Sequence, residues 1–371
     1  MMRLVSRPGE LISGAAIVVL ALALASTRGA DGHTEPAGET TAGCRADVPA
    51  IGTTFFEARR VDLQDLDTAR LVTPSVIDIS PSGNHILIGD RDDYDVKLFD
   101  RGGRLISVIA TRGEQPGQVF ILDGAAFRND SMVMIADAGR MQLMEFDLQG
   151  KLVAETHLPV RPITSVQVLD QSVLVGGRSP PTLADPRARG VHVLDSEGSI
   201  SQSLGSQPLA SVGGVSRYLA ATAPFFHVTS GGRDSIAVAW RLTNNVEVFD
   251  LVSGGSRTFR IGGGPGYVDP DTLLHRLGPE GQSDVLNRSS PIVGLFTAAG
   301  YIIVAYFSPA TGSDNLRYLV YDRSGTLVEF IDDPPLVLGV HADSLLAIGR
   351  SSESENGRYA VRIFAPCVTK S

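Results

Sequence analysis

The sequence predicts an all-β fold, a six-bladed β-propeller of four-stranded antiparallel blades closed by an N-terminal strand, and three observations carry that prediction. First, a strand ending in an aromatic residue or Leu, then Asp and a Gly-containing turn, recurs along the chain. The copies are VKLFDRGG (96–103), LMEFDLQG (143–150), VHVLDSEG (191–198), VEVFDLVSG (246–254) and YLVYDRSG (318–325), with a degenerate sixth, YAVRIFAPC (359–367). Phe99, Phe146, Leu194, Phe249, Tyr321 and Phe364 mark them, at intervals of 47, 48, 55, 72 and 43 residues. Second, each copy follows an apolar strand whose aligned columns agree six times out of six. One column is β-branched (Ile88, Ile135, Val175, Val238, Val304, Ile348), and the next is small (Gly89, Ala136, Gly176, Ala239, Ala305, Gly349). Third, the turns PSGN, RND, RGG and LQG carry the Gly, Asn and Asp that hairpins require. Repeated four-stranded units of about 45 residues describe propeller blades, which bury their faces only by stacking on neighbours. A solenoid would need shorter repeats and capping units.

In the first unit the expected strands are Ser75–Ser80, His85–Asp90, Asp95–Asp100 and Arg104–Thr111, lettered A to D from the axis outwards. The composition suits such a fold: 371 residues, 43% hydrophobic, with 40 Gly and 21 Pro. The formal net charge is −9 and no basic stripe interleaved with aromatics is present, which argues against a nucleic-acid partner.

Ahead of the repeats, Arg3 and Arg7 precede the apolar run Ala15–Ala25 (AAIVVLALALA), and Ala23 and Ala25 sit at the −3 and −1 positions of a cleavage site. That reads as an export signal over 1–25, because a membrane span needs about 20 apolar residues and this run is shorter. The chain is therefore expected in the periplasm or outside the cell, without a transmembrane anchor once cleaved, and as a monomer. Residues 26–52 lack periodicity and read as a tether; 53–371 are assigned to the propeller.

The stretch MIADAGRMQLMEFDLQGKL (134–152) carries a V-A-D-like strand end, a short polar turn, an I-x-x-F-D-like strand and a D-x-x-G-K-like turn. Two links between units, Gly113–Val119 (GEQPGQV) and Gly262–Val268 (GGGPGYV), share G-x-x-P-G-x-V. In these features the chain resembles the NHL-repeat family of six-bladed propellers, from about Val72 to Phe364. The resemblance implies the architecture rather than an activity, since that family includes binding platforms as well as enzymes.

The sixth unit ends after its C strand, so Thr53–Val61 is expected to supply its D strand. Cys367 then follows one strand and Cys44 precedes its antiparallel neighbour, and in an oxidising compartment a Cys44–Cys367 disulfide is expected. A lipoprotein reading of Cys44 fails because it lies 19 residues beyond Ala25 rather than next to the apolar run.

A–B and C–D turns are short in every unit. The long insertions (178–190, 205–224, 262–291, 308–316, 350–358) are all B–C or D–A connections, which share one face of a propeller. Elaborated loops on a rigid scaffold are where binding usually resides, although loop drift would look the same. Residues after the small column project towards that face, so Arg91, Arg178, Arg241 and Arg350, with Trp240 and Tyr306, are candidates to line the channel mouth. Guanidinium forks suit carboxylate or phosphate, and aromatics suit sugars; pairing of these Arg with Asp90 and Asp137 is the plainer alternative.

On the innermost strands Asp78, Ala126, Gln167, His227, Gly294 and Gly339 align at one depth. Asp78, Gln167 and His227 are candidate ligands for a divalent metal, set against ordinary hydrogen-bonded structural roles. The acidic turn Asp90–Asp95 is a weaker calcium candidate. No H-E-x-x-H, G-x-S-x-G, Walker A or sialidase-type motif is present. The favoured function is a non-catalytic platform for a protein, peptide or glycan, with no cofactor required. The alternative is a metal-dependent lyase or hydrolase in the channel.

Overall fold

A computed structural model describes residues 50–64, 70–169, 172–178, 189–206, 224–228, 235–262, 264–277, 285–309, 315–350 and 359–367. Two strands lead: β1 (Ala50–Ile51) and β2 (Phe55–Asp62). Blade 1 comprises β3 (Pro74–Ile79), β4 (His85–Asp90), β5 (Asp95–Asp100) and β6 (Leu105–Ala110). Blade 2 is β7 (Leu122–Asn129), β8 (Met132–Asp137), β9 (Gln142–Asp147) and β10 (Leu152–His157). Blade 3 is β11 (Arg161–Leu169), β12 (Ser172–Arg178), β13 (Arg189–Leu194) and β14 (Ile200–Ser206). Blade 4 is β15 (Pro224–Val228), β16 (Ser235–Trp240), β17 (Asn245–Asp250) and β18 (Ser256–Arg260), followed by helices α1 (Pro270–Leu277) and α2 (Val285–Arg288). Blade 5 is β19 (Ile292–Ala298), β20 (Tyr301–Ser308), β21 (Asn315–Tyr321) and β22 (Leu327–Asp332). Blade 6 takes β23 (Val337–His341), β24 (Ser344–Arg350) and β25 (Tyr359–Pro366).

Each blade is an antiparallel sheet in sequence order, and β2 completes blade 6 by pairing with β25, from Phe55 opposite Pro366 to Asp62 opposite Ala360. The spare strand thus closes the ring as expected. β1 extends the same sheet and Ile51 is buried, so the last residues of the expected tether belong to the blade. Cys367 follows β25 directly, and its N–H donates to the Thr54 carbonyl at 2.7 Å. Cys44, like the expected signal and most of the tether, lies outside the described residues.

The repeated motif has a local cause. In all five complete copies the Asp after the aromatic or Leu position caps the C–D turn. One carboxylate oxygen of Asp100, Asp147, Asp195, Asp250 or Asp322 accepts two turn N–H groups at 2.8–3.0 Å. The turn glycine (Gly103, Gly150, Gly198, Gly254, Gly325) has φ between 68° and 87°, where a side chain would be strained. Aspartate and glycine recur because one hairpin is built five times.

Burial follows the seams. The buried apolar residues fall into six clusters, one per junction between neighbouring blades, and the innermost strands meet in ring order β3, β7, β11, β15, β19, β23 and back to β3. Blades 1 and 4 therefore face each other across the axis. The small column serves close packing at Gly89, where a Cβ would lie 3.0 Å from Leu122 of blade 2. At Gly349 it would meet open space.

Of the long connections, 179–188, 207–223, 310–314 and 351–358 lie outside the described residues, whereas much of 262–291 is described. Helices α1 and α2 were not foreseen there, although Asp269 and Pro270 supply the N-cap and first-turn residues of a helix start. Asp269 accepts from the N–H and hydroxyl of Thr272, and also from Asn244 Nδ2 (2.8 Å) and Arg260 Nη2 (2.9 Å) of blade 4. The insertion is tied down from three sides. The two G-x-x-P-G-x-V links share a conformation, with Gly117 and Gly266 at φ 78° and 72°. Turn geometry thus accounts for GGGPG.

Candidate functional site

At the end of the B strand, blades 1 and 2 place Asp90 and Asp137, both fully buried. Each carboxylate is a clamp for its surroundings. Asp137 accepts the N–H groups of Phe120 and Ile121 from the incoming link and of Gly139 and Arg140 from its own turn, at 2.8–3.3 Å. Asp90 does the same with Val72, Thr73, Asp92 and Asp93. The equivalent residues of blades 4 and 5 are Trp240 and Tyr306, only 4% and 0% exposed. They therefore do not line the mouth, contrary to expectation. Strand alternation turns them into the seam with the preceding blade. Tyr306 packs edge-on against Tyr267 of the 262–291 insertion, ring centroids 5.2 Å apart. Arg350, the blade 6 equivalent, is exposed.

One residue further on stand two arginines. Arg91 and Arg241 come from opposite blades, yet each lies in the other's electrostatic reach. Burial lowers the pKa of the Arg241 guanidinium, and the like charge of Arg91 lowers it further. The Arg241 Nε is buried with no hydrogen-bond partner. Asp123 and Arg161, both overlooked in the sequence, complete the group. Burial pushes the Asp123 carboxyl up to about 6, with Arg91 and Arg161 pulling it down and Asp137 pushing it up. The anticipated pairing of mouth arginines with Asp90 and Asp137 is not found. Those carboxylates are engaged by backbone N–H groups, and Asp137 also faces Arg140 at 3.9 Å. Among the described residues the side chains of Arg91, Arg161 and Arg241 make no hydrogen bond or ion pair. Arg178 stands opposite Arg161 in the blade 3 register, and its side chain lies outside the described set.

Asp123 escaped notice because its A strand bulges where it enters the ring, and Arg161 because it lies ahead of the same kind of irregularity in blade 3. The register shifts between Pro74 and Val76, Leu122 and Gly124, Pro162 and Val166, Ile292 and Gly294, and Val337 and Gly339. A bulge re-aims one residue out of the alternation, and Asp123 occupies that position in blade 2. The same shifts correct the inner alignment. Asp78, Ala126, Gln167 and His227 do share a level, but the blade 5 equivalent is Phe296 rather than Gly294, and Gly339 falls one position away.

The channel trio has a common employment. Asp78 accepts the N–H of Phe127 in blade 2 at 2.8 Å and that of its neighbour Ile79 at 2.8 Å. Gln167 donates to the Phe226 carbonyl of blade 4 at 3.1 Å, and His227 bonds Thr297 of blade 5 at 2.9 Å. Each residue latches its A strand to the next. Burial pushes the Asp78 carboxyl up to about 7, against the pull of its two N–H donors. Among the described residues no three His, Cys, Asp or Glu are grouped to hold a metal ion. The acidic turn is likewise engaged: Asp92 accepts from the Thr73 hydroxyl at 2.6 Å, and Asp95 pairs with the buried Lys97. Among the described residues no helix is long and apolar enough to cross a membrane.

Residues 54–175 match the family DUF5128, described as a 6-bladed beta-propeller. No curated protein matches the chain. Among solved structures, a protein of Bacteroides fragilis described as a candidate exported protein superposes with a TM-score of 0.62 at 13% identity, over 89% of this chain and 98% of that one. A DUF4221 family member from Bacteroides vulgatus gives a TM-score of 0.59 at 9% identity, over 84% and 98%. At such identities the likeness is one of fold, and the fold it shows, with the family match over the first blades, is the six-bladed β-propeller.

Proposed function

We propose that this chain is an exported, non-catalytic binding platform of the NHL type, presenting the face that carries the B–C and D–A loops to a protein, peptide or glycan. The observation that carries the reading is the set of arginines on that face. Among the described residues the side chains of Arg91, Arg161 and Arg241 make no hydrogen bond or ion pair, and the mouth is where this reading sets them. Three guanidinium groups against the single carboxyl of Asp123 suit a ligand that brings negative charge of its own. The insertion 262–291 adds a built surface beside them, anchored through Asp269. The channel trio is occupied in holding blades together, which gives the platform reading precedence over metal-dependent catalysis.

Immobilised acidic and neutral glycans and peptides test the reading directly. Binding to acidic members is expected, weakening as salt screens the arginines, and replacing 270–288 with a short Gly-Ser link should reduce it. Absence of binding across such a panel, or binding unchanged by both salt and loop replacement, would overturn the platform.

Export and the Cys44–Cys367 bridge belong to the same proposal. The apolar N-terminal segment and the exported description of the Bacteroides fragilis protein support the first. The position of Cys367 beside Thr54 supports the second. Unreduced, denatured protein should show no titratable thiol and reduced protein two. Cys44→Ser should cost about 4–5 kcal/mol in the chain-entropy account of a loop this long. Two free thiols in secreted material would remove the bridge.

A further inference from the structure

We propose that the channel mouth is a site for a hydroxylated carboxylate, a sugar acid being the fitting class, held between Arg91 and Arg241 with Arg161 and Asp123 completing its contacts. The inference rests on the platform reading, since it names the chemistry one part of that face recognises. Three guanidiniums and one carboxyl come from four consecutive blades and act on one another electrostatically: Arg91 from blade 1, Asp123 from blade 2, Arg161 from blade 3 and Arg241 from blade 4. With Asp123 ionised the group still carries an excess of two positive charges, so its complement is anionic. The Nε of Arg241 is buried without an acceptor, a donor that a carboxylate oxygen would satisfy. Arg91 and Arg241 belong to blades that face each other across the axis, so a ligand touching both must be a multi-atom anion rather than a lone halide. Asp123 makes no hydrogen bond among the described residues and is an acceptor in the midst of donors. It calls for a hydroxyl on the same ligand. A carboxylate bearing neighbouring hydroxyls satisfies both requirements, whereas a simple carboxylate or a neutral sugar satisfies one.

Titration calorimetry on the mature chain, with glucuronate, glucose, acetate and inorganic phosphate as probes, tests this. Glucuronate should bind saturably, with acetate, phosphate and glucose each weaker by roughly tenfold or more. Arg241→Gln and Arg91→Gln should each weaken glucuronate by roughly tenfold, the scale of one lost charged hydrogen bond. Asp123→Asn should narrow the gap between glucuronate and acetate. Arg104→Gln, on an exposed arginine paired with Asp100 at the C–D turn of blade 1, should leave binding unchanged. A thermal melt of each variant separates loss of the site from loss of the fold. Equal affinity for glucuronate and glucose, phosphate stronger than glucuronate, or glucuronate binding indifferent to Arg91 and Arg241 would each overturn the proposal. Glycan or peptide binding on the loop-rich face that survives both substitutions would overturn it while leaving the platform standing. Glucuronate binding at the mouth with no macromolecular ligand would do the reverse.

Discussion

Blades 1 and 2 and blades 4 and 5 solve the same problem at the same backbone position by different chemistry. Where the B strand ends, the incoming link must be fastened to the top of the seam. Blades 1 and 2 fasten it with a buried carboxylate that accepts four N–H groups. Blades 4 and 5 put Trp240 and Tyr306 there, and their Nε1 and hydroxyl are buried without hydrogen-bond partners. The fastening passes instead to the 262–291 insertion. Arg317 donates to the Pro265 carbonyl at 3.2 Å and to Ser308 at 2.7 Å, and Asp269 binds Asn244 and Arg260. The aspartate clamp is compact and repeatable, and the family match at residues 54–175 covers the blades that have it. The aromatic version depends on the long link between blades 4 and 5 itself.

The largest test of that contrast is Asp137→Ala. It removes a fully buried carboxylate and strands four part-buried N–H groups, each costing up to about 1–3 kcal/mol when unsatisfied, with partial recovery by water and relaxation. A loss above about 3 kcal/mol is expected in denaturant unfolding. Asp137→Asn keeps one acceptor oxygen and should lose less. Should Asp137→Ala prove as mild as a surface change, the clamp is not what holds blades 1 and 2. Next in size is Asp78→Ala, which cuts the latch between those blades and leaves the Phe127 N–H unmet, at about 1–3 kcal/mol. Gln167→Ala should cost less, because a neutral amide bond to the Phe226 carbonyl is replaceable by channel water.

What could be read without coordinates divides along the same line. The six strand quartets and the closing strand were legible because hairpin turns and period-two alternation are local. The blade 1 strands agree within a residue at each end. Trp240 and Tyr306 were misplaced because the same alternation, read only along one strand, cannot say that the side facing outwards at the rim is a neighbour's seam. Asp123 and Arg161 were invisible for another reason. Asp123 sits where its A strand bulges, and Arg161 lies just ahead of the irregularity in blade 3, where a break in register separates it from the aligned residues. The channel trio was recognised as a level, but its cross-blade bonds are contacts between strands 49, 59 and 70 residues apart.

A smaller effect separates the carboxyls of blades 1 and 2 from one another. Asp78 and Asp123 have folded pKa values of about 7 and about 6, both above the unfolded 3.8. The folded state holds its protons more tightly between those values. The contribution of these groups is therefore complete below about pH 4 and is lost as pH rises through 6 and 7. Asp123→Asn should match the wild type near pH 3 and exceed it by about 1–3 kcal/mol at pH 8. His192 works the other way: burial depresses it to about 4 from 6.5, so its contribution is lost as pH falls through that window. The two effects oppose each other across the same window, between about pH 4 and 7. If Asp123→Asn tracks the wild type at every pH, its carboxyl is ionised and solvated, and the mouth is more open than its burial indicates.

The smallest expected effect bears most directly on the aromatic solution. Tyr306→Phe removes a hydroxyl that is buried without a hydrogen-bond partner, its pKa pushed up to about 12 by burial, while the ring keeps its contact with Tyr267. Arg317 lies close by, but its Nε and Nη1 donate to Asp332, Ser308 and Pro265. Deleting an unsatisfied polar group from an apolar seam should be neutral or slightly stabilising, within about 1 kcal/mol. A loss of 2 kcal/mol or more would mean that the hydroxyl bonds a group after all, and that blades 4 and 5 carry a polar clamp of their own. Neutrality would show that a packed ring suffices once a loop carries the fastening, which leaves the top of these blades free to diverge around a ligand.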